Sequence, residues 1–369
     1  MAGIYIHIPF CRQACHYCNF HFATSLHHRD ELMAALVREI DLQKDYLEKE
    51  PLETIYFGGG TPSLLTSEEI GKMIRKIRDC FIIGPGTEIT LEANPDDITE
   101  EKLSGWKEAG INRLSIGIQS FYQEDLEWMN RAHTATQAVN NLQLAVKHFE
   151  NTSIDLIYGT PQLTDEKWRQ NVEKAVLLNI PHLSCYALTV EPKTSLHKMI
   201  RQHLSEDIDP ASQSKQFLLL MEWLGSAGYE HYEISNFARP GWRSRHNSSY
   251  WQGKKYLGIG PSAHSFNGIS RQWNISNNTI YIASIGKAVV PFEKEDLTVI
   301  QKWNEYIMTS LRTQEGLDLE QLPEVSRLKL KIASRKYTGT GLMTLVNNSL
   351  ILTKEGKLLA DGIAADLFF

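Results

Sequence analysis

The chain has 369 residues, of which 42% are hydrophobic and 22% are charged, a composition typical of a globular protein with room for a large α/β domain and a smaller one. Its formal net charge of −6 argues against the basic surface of a nucleic-acid-binding protein, so we expect no nucleic acid as a partner. No apolar run reaches the length of a transmembrane span and no secretory signal pattern begins the chain, so we expect a cytoplasmic protein.

Short β-rich segments alternate with helical patterns through the first two-thirds of the chain. Each parallel strand needs a helical crossover to return, so six β–α units in series predict a parallel sheet. Six units are too few for a closed eight-stranded barrel, which leaves an open partial barrel or a doubly wound sheet. The predicted strands are Ile4–Ile8, Thr54–Phe57, Glu88–Glu92, Arg113–Ile118, Ser153–Tyr158 and Leu183–Leu188.

Amphipathic segments between and after these strands supply the predicted helices. Apolar residues recur in each at the spacing of one helix face. The predicted helices are Asp30–Leu47, Ser67–Cys80, Thr99–Ala109, Thr136–Phe149, Asp165–Leu178 and Ala211–Ala227.

The last third of the chain differs from the rest in composition and in periodicity. Residues 230–290 are rich in aromatic residues, glycine and asparagine and show little periodicity. We therefore predict a division into a (β/α)₆ core at 1–229, a connecting segment at 230–290 and a C-terminal domain at 291–369.

Helical patterns return in the C-terminal domain at Leu297–Thr313 and Pro323–Tyr337. A hairpin follows at Gly341–Thr353, and a final helix is predicted from Thr353. This order suggests a winged-helix-like module. Residues 297–369 hold nine Lys or Arg and eight Asp or Glu, so the basic stretch Arg327–Lys336 is interpreted as a solvated helix face.

Three cysteines, Cys11, Cys15 and Cys18, follow the first predicted strand in a CxxxCxxC pattern. Three thiolates can hold a [4Fe–4S] cluster and leave one iron open to a ligand, whereas a structural zinc needs four protein ligands. His21 lies three residues after Cys18 and could complete a zinc site, so that alternative stays open here.

Polar groups lie at or just beyond the carboxyl ends of the other predicted strands, where parallel sheets place their functional loops. The second strand leads into Gly58-Gly59-Gly60-Thr61-Pro62-Ser63. Glu92, Gln119, Arg131 and Asp155 lie at or after the next three strand ends. Acidic, basic and amide groups on one rim indicate a site for a polar, zwitterionic ligand with hydroxyl groups.

Together these motifs resemble the radical S-adenosylmethionine (SAM) superfamily. More narrowly, the chain resembles the oxygen-independent coproporphyrinogen III oxidase-like family and, within it, the HemW-type haem chaperones. The resemblance runs nearly end to end. It rests on the CxxxCxxC, GGGTP and Glu92-x-Asn94-Pro95 motifs, Ser115-x-Gly117-x-Gln119-Ser120-Phe121, Asn130-Arg131-x-His133 and His246-Asn247-x-x-Tyr250-Trp251.

The resemblance implies a partial (β/α)₆ radical SAM barrel with a small C-terminal domain. It assigns Cys11, Cys15 and Cys18 as ligands of a [4Fe–4S] cluster whose open iron binds the amino and carboxylate groups of SAM. The SAM contacts that it implies are Tyr5, Tyr17, Gly59, Gly60, Thr61, Glu92, Gln119, Arg131, Asp155 and Ala187.

Two departures from the decarboxylating oxidases of the family argue against that activity. Those enzymes have a fourth cysteine where this chain has Phe20, and an N-terminal extension where this chain starts its first strand at about residue 4. The His246–Trp251 motif is associated with haem in the HemW branch, which implies His246 as a haem ligand. From the residues alone, His246 could equally cap or pack a loop.

The leading hypothesis is therefore a haem chaperone that delivers haem to haemoproteins at the membrane, with a cluster and SAM in support. The alternative is an oxygen-independent coproporphyrinogen III oxidase. A zinc protein with a DNA-binding module is a third hypothesis, and it needs a basic surface that the charge count does not provide. A homodimer stays open as a further hypothesis.

Overall fold

A computed structural model describes residues 2–369. The six predicted strands form the consecutive, parallel centre of one twelve-stranded sheet. Their order along the sheet is their order along the chain. These strands are β1 (Ala2–Ile8), β2 (Leu52–Gly59), β3 (Ile83–Ala93), β4 (Arg113–Gln119), β5 (Thr152–Tyr158) and β6 (His182–Ala187).

Eight helices follow or connect these strands. Because each strand pairs with the next one in sequence, right-handed crossovers place the helices on one face of the sheet. A doubly wound sheet would reverse its strand order, so that alternative is wrong and the partial barrel is confirmed. The helices are α1 (Arg29–Leu42), α2 (Ser67–Cys80), α3 (Glu100–Ala109), α4 (Gln123–Trp128), α5 (Ala135–His148), α6 (Asp165–Leu177), α7 (Ser195–Arg201) and α8 (Pro210–Ser226).

Residues 230–296 extend both edges of the parallel sheet. β9 runs parallel to β1, and β8 runs antiparallel to β6, so within residues 2–369 the six strands do not close on each other. The strands of this segment have three to five residues, too few for a recognisable period. The elements are β7 (Glu230–Glu233), β8 (Asn236–Ala238), α9 (Arg245–Trp251), β9 (Tyr256–Ile259), β10 (His264–Phe266), β11 (Ser270–Asn274), α10 (Asn278–Gly286) and β12 (Phe292–Asp296).

The C-terminal part has its own hydrophobic cluster, which includes Ile307, Leu317, Leu350 and Ile363. Its helices pack around a three-stranded sheet of order β13-β15-β14, in agreement with the predicted winged-helix-like order. The elements are α11 (Val299–Leu311), β13 (Leu317–Asp318), α12 (Glu324–Ala333), α13 (Arg335–Gly339), β14 (Met343–Val346), β15 (Ser349–Leu352), α14 (Lys354–Lys357) and α15 (Ala360–Asp366). No helix within residues 2–369 is both long and apolar enough to cross a membrane.

The two faces of the parallel sheet carry different side chains. Ile4, Ile6 and Ile8 of β1 are completely buried in the main hydrophobic core. Successive side chains of a strand alternate between faces, so Tyr5 and His7 lie on the opposite, inner face. The inner face is therefore polar and aromatic, and its upper rim is formed by the carboxyl ends of the strands.

Candidate functional site

A cavity of about 380 Å³ lies at the carboxyl ends of β1–β6. The loop that follows β1 and the ends of the other five strands all contribute to its lining. Most of the site residues expected from the sequence therefore lie together. Those that line the cavity are Cys11, Cys15, Tyr17, Cys18, Gly59, Gly60, Thr61, Glu92, Gln119, Arg131, Asp155 and Ala187.

The loop that bears the three cysteines is held at its ends and in its middle. The amide of Cys11 donates to the carbonyl of Ala23 at 3.1 Å, which closes the loop. The side chain of Asn130 donates to the carbonyl of Ala14 at 2.7 Å. His16 is fixed by its amide, which donates to the carbonyl of Met129 at 3.1 Å. The residues after α4 thus position the cysteine loop above the sheet.

Two of the cysteine sulfurs accept hydrogen bonds from residues of the cavity. Thr61 Oγ1 donates to Cys11 Sγ and Arg131 Nη1 donates to Cys15 Sγ, each at 3.4 Å. Burial raises the pKa of Cys11 to about 11 and also raises the pKa of Cys18. A metal cation would favour the thiolate form by displacing these protons.

The donor set at this loop fits an iron–sulfur cluster. Three thiols that share one cavity match the ligands of a cluster with one open iron. Within residues 2–369 no three or more His, Cys, Asp or Glu side chains already surround a single metal position. The fit therefore rests on the shared cavity and the type of the donors.

His21, the fourth ligand of the alternative zinc site, is not among the cavity-lining residues. Its Nε2 lies 2.8 Å from Asn278 Oδ1, and its carbonyl accepts a hydrogen bond from His7 Nε2 at 2.8 Å. His21 thus joins the cysteine loop to the polar inner face and to α10. This arrangement favours the three-cysteine interpretation.

Arg131 is the cation of the cavity. Its Nη2 donates to Asn94 Oδ1 at 2.7 Å and to the carbonyl of Gly117 at 2.9 Å, so the guanidinium is fixed. Its Nε is buried and has no hydrogen-bond partner. A buried donor without a partner is costly, and the carboxylate of a ligand would satisfy it.

Three carboxyl groups, those of Glu92, Asp155 and Glu191, share the cavity with Arg131. Glu92 accepts hydrogen bonds from the hydroxyl of Tyr56 at 2.7 Å and from the amide of Gly59 at 3.2 Å. Burial raises the pKa of Glu92 to about 7 and that of Asp155 to about 6. A cation and three carboxyl groups in one cavity suit a ligand with a carboxylate, an ammonium group and hydroxyl groups, all of which SAM carries.

Gly60, which follows β2 and lines the cavity, also lets the backbone pack closely. A Cβ at position 60 would lie 2.6 Å from the carbonyl oxygen of Phe10. The amide of Gly60 also donates to the carbonyl of Ile8 at 2.8 Å. The absence of a side chain therefore lets the end of β2 pack against the start of the cysteine loop.

Tyr5 and His246 are not among the residues that line the cavity. Tyr5 lies deeper in the interior, where its hydroxyl lies 3.2 Å from His7 Nδ1. His246 is 1% exposed; its Nδ1 lies 2.8 Å from Thr54 Oγ1 and its Nε2 lies 2.9 Å from the hydroxyl of Tyr250. This geometry favours the packing role that the sequence left open, and haem ligation by His246 stays a prediction.

Sequence reasoning missed residues that support or line the site. Asn94 was recognised only as part of a motif, yet it fixes Arg131 and also donates to Thr61 Oγ1 at 3.3 Å. Its position just after β3 was the available signal. Tyr186 lines the cavity and is 42% exposed, and its place at the end of β6, beside the expected contact Ala187, could have identified it.

Comparison with known proteins gives the class of this fold and site. The family model of the radical SAM superfamily matches residues 5–175. Coproporphyrinogen III oxidase (HemN) from Escherichia coli, a radical SAM enzyme, has the same fold with a TM-score of 0.85. The alignment covers 100% of this chain and 90% of that one at 23% identity, so it establishes the fold alone. The chain belongs to the radical SAM superfamily.

Curated relatives define the family more narrowly. The heme chaperone HemW of Mycobacterium tuberculosis is 33% identical over 371 residues, which cover 99% of this chain and 94% of that protein. The heme chaperone HemW of Bacillus subtilis is 32% identical over 373 residues, with 98% of each chain covered. Within the superfamily, the chain therefore belongs to the HemW family.

Proposed function

We propose that this protein is a haem chaperone that binds haem in the cytoplasm and delivers it to haemoproteins at the membrane. The main support is the end-to-end similarity to proteins named heme chaperone HemW, at 32–33% identity. A [4Fe–4S] cluster and SAM are the proposed cofactors. Three thiols, one arginine and three carboxyl groups in a single cavity support that part of the proposal.

In this proposal Cys11, Cys15 and Cys18 hold the cluster. Bound there, a [4Fe–4S] cluster would supply an electron to SAM. Arg131 would neutralise the carboxylate of SAM with its positive charge. Glu92 and Asp155 would accept hydrogen bonds from the amino and hydroxyl groups, and Tyr17 offers an aromatic face.

The location of the haem is a separate question from its binding. Haem ligation by His246 would require the imidazole to give up its contact with Thr54 or Tyr250. We therefore keep His246 as a hypothesis to be tested by substitution. A homodimer also stays a hypothesis, which the mass of the protein in solution would test.

The alternative function, oxidative decarboxylation of coproporphyrinogen III, has a specific observation in its favour, the fold shared with the E. coli oxidase. Against it stands Phe20, which lines the cavity and is 66% exposed. This side chain offers no thiol where the oxidases of the family have their fourth cysteine. An exposed aromatic ring at the cavity is better suited to a planar, apolar ligand.

The test is anaerobic reconstitution with iron and sulfide, followed by haem titration of wild-type protein and His246→Ala. We expect about four iron atoms per chain, loss of the cluster in Cys15→Ala, and saturable haem binding by the wild type. Haem binding lost only in His246→Ala would identify the ligand. Equal binding by both proteins would place the haem elsewhere.

Two outcomes would contradict the proposal. Stoichiometric zinc in a colourless protein would remove the cluster, and the absence of saturable haem binding would remove the chaperone function. The same preparation, reduced and supplied with SAM and coproporphyrinogen III, tests the alternative. Formation of protoporphyrinogen IX would favour the oxidase, and analysis for 5′-deoxyadenosine would show whether SAM is cleaved.

A further inference from the structure

Helix α9 carries the His246–Trp251 motif, and the ring of His246 is buried in the interior beneath the cavity. Glu88 of β3 fixes the start of this helix by accepting hydrogen bonds from the amides of Arg245 at 3.3 Å and His246 at 3.1 Å. The side chain of Ser244 caps the helix by accepting from the amide of Asn247 at 3.2 Å. With both ring nitrogens also partnered, the imidazole is held in one orientation.

The face of this imidazole stacks on Tyr56 of β2. The two ring centroids are 4.7 Å apart and the rings are inclined by 20°. Tyr56 is 8% exposed, and its hydroxyl donates to Glu92 Oε1 at 2.7 Å. A continuous contact therefore runs from the His246 ring, through the Tyr56 ring, to one carboxylate oxygen of the cavity.

The absence of a side chain at Gly58 leaves room for the contact between Tyr56 and Glu92. A Cβ at position 58 would lie 2.9 Å from Tyr56 Cε1 and 3.0 Å from Glu92 Oε1. The Tyr56 ring and the Glu92 carboxyl group thus occupy the space that a side chain of Gly58 would take. The other oxygen of Glu92 accepts from the amide of Gly59 at 3.2 Å, so the carboxyl group is fixed by two neighbours.

We infer that His246 is a positioning residue of the SAM site, which keeps the Tyr56 ring where its hydroxyl orients Glu92. The inference rests on the proposed SAM site and holds wherever haem binds. It gives the His246–Trp251 motif a role beneath the SAM cavity in addition to any role toward haem. A stacked ring restrains the tyrosine, and a hydrogen bond to a carboxylate is among the stronger ones in proteins.

A double-mutant cycle on reconstituted protein tests this connection. SAM affinity is measured by anaerobic equilibrium dialysis for wild type, His246→Ala, Tyr56→Phe and the double variant. We expect about tenfold weaker binding for each single variant, the loss that follows from removing one charged hydrogen bond. Because both substitutions act through the same hydrogen bond between Tyr56 and Glu92, the double variant should bind about as well as either single variant.

His182→Ala is the matched control. His182 is also a fully buried histidine of the inner face, with Nδ1 2.6 Å from Ser153 Oγ and Nε2 2.7 Å from the hydroxyl of Tyr232. Its ring nitrogens contact neither Tyr56 nor Glu92, so SAM affinity should stay near that of the wild type. His246→Phe keeps a ring against Tyr56, and we expect it to restore most of the affinity lost in His246→Ala.

The possible failures are distinguishable. If wild-type protein with an intact cluster does not bind SAM, the proposed SAM site is wrong and the inference with it. If wild type binds SAM and His246→Ala binds equally well, the inference alone is overturned. Independent, multiplied losses of about a hundredfold in the double variant would also overturn it, because His246 would then not act through Tyr56. If His246→Ala does not fold, His246→Leu, which fills the space but lacks a ring to stack on Tyr56, takes its place in the cycle and decides in the same way.

Discussion

Glu92 and Asp155 are carboxyl groups of the cavity whose protonation changes near neutral pH. Burial raises the pKa of Glu92 to about 7 and that of Asp155 to about 6. In their neutral form both groups lose most of their attraction for a positively charged ligand such as the sulfonium SAM. The raised pKa of Glu92 also lowers the free energy of unfolding as pH rises from about 4.5 to about 7. In this range the folded state still holds the Glu92 proton, whereas the unfolded chain has released it.

SAM binding should therefore strengthen as pH rises from about 6 to about 8. We expect about a tenfold gain in affinity, since ionisation of Glu92 precedes binding in that range. Anaerobic equilibrium dialysis at each pH measures the effect. Glu92→Gln cannot ionise and should bind weakly with a flatter profile, and a wild-type affinity that stays constant over this range would contradict the assignment.

Among individual residues, the sequence predicted most of those that line the cavity, but it did not predict that Tyr5 and His246 pack in the interior. Strand ends of a parallel sheet meet at one edge, which is why the strand pattern alone places Cys11 and Glu92 together. Asp155 was expected at a strand end but lies in the middle of β5, where it still lines the cavity. His246 could not be placed, because its partner Thr54 is 192 residues away along the chain. The motif identifies a histidine with neighbouring aromatic residues, and only the fold shows that the His246 ring is buried in the interior.

At the scale of elements, the six parallel strands were predicted because their β-rich segments recur at regular intervals. The first helix was predicted to reach Leu47, but α1 ends at Leu42. Leu47 is nevertheless completely buried, so the apolar pattern continues past the helix. Glu48 and Lys49 have φ values of 51° and 64°, which turn the chain toward β2.

The pairing of β9 with β1, at opposite ends of the first 260 residues, shows why the secondary structure of residues 230–290 could not be predicted. Short strands at the edges depend on partners far away in sequence. A buried carboxyl group on α1 holds this segment in place: Glu39 accepts hydrogen bonds from the amide of Gly260 and the side chain of Asn274, each at 2.7 Å. The hydroxyl of Tyr281 donates to the same carboxyl group.

Glu39→Ala should destabilise the protein by about 3 kcal/mol, because it leaves three buried donors without their partner. Urea unfolding followed by circular dichroism measures the loss. Glu31→Ala removes an exposed carboxyl group from the same helix and should stay within about 0.5 kcal/mol of wild type. Equal effects of the two substitutions would show that Glu39 does not hold α1 to the segment at 260–281.

At the scale of the whole molecule, α9 lies between the sheet interior and the C-terminal part. His246 at its start contacts Thr54, and Trp251 at its end lies under the guanidinium of Arg312 at 5.1 Å. Arg312 also forms ion pairs with Glu233 at 3.4 Å and Asp361 at 2.7 Å. Helix α9 thus connects the interior beneath the candidate site to the C-terminal part of the protein. The division into residues 1–229, 230–290 and 291–369 stays a prediction.

Delivery of haem is the central claim, and a transfer measurement tests it most directly. Haem-loaded protein is mixed with membranes from a haem-auxotrophic bacterium grown without haem, and the cytochrome α-band of the membranes is recorded. Haem-loaded serum albumin is the control donor. We predict that the chaperone restores the cytochrome spectrum and albumin does so poorly; retention of the haem by the protein, or equal transfer from albumin, would contradict the proposal.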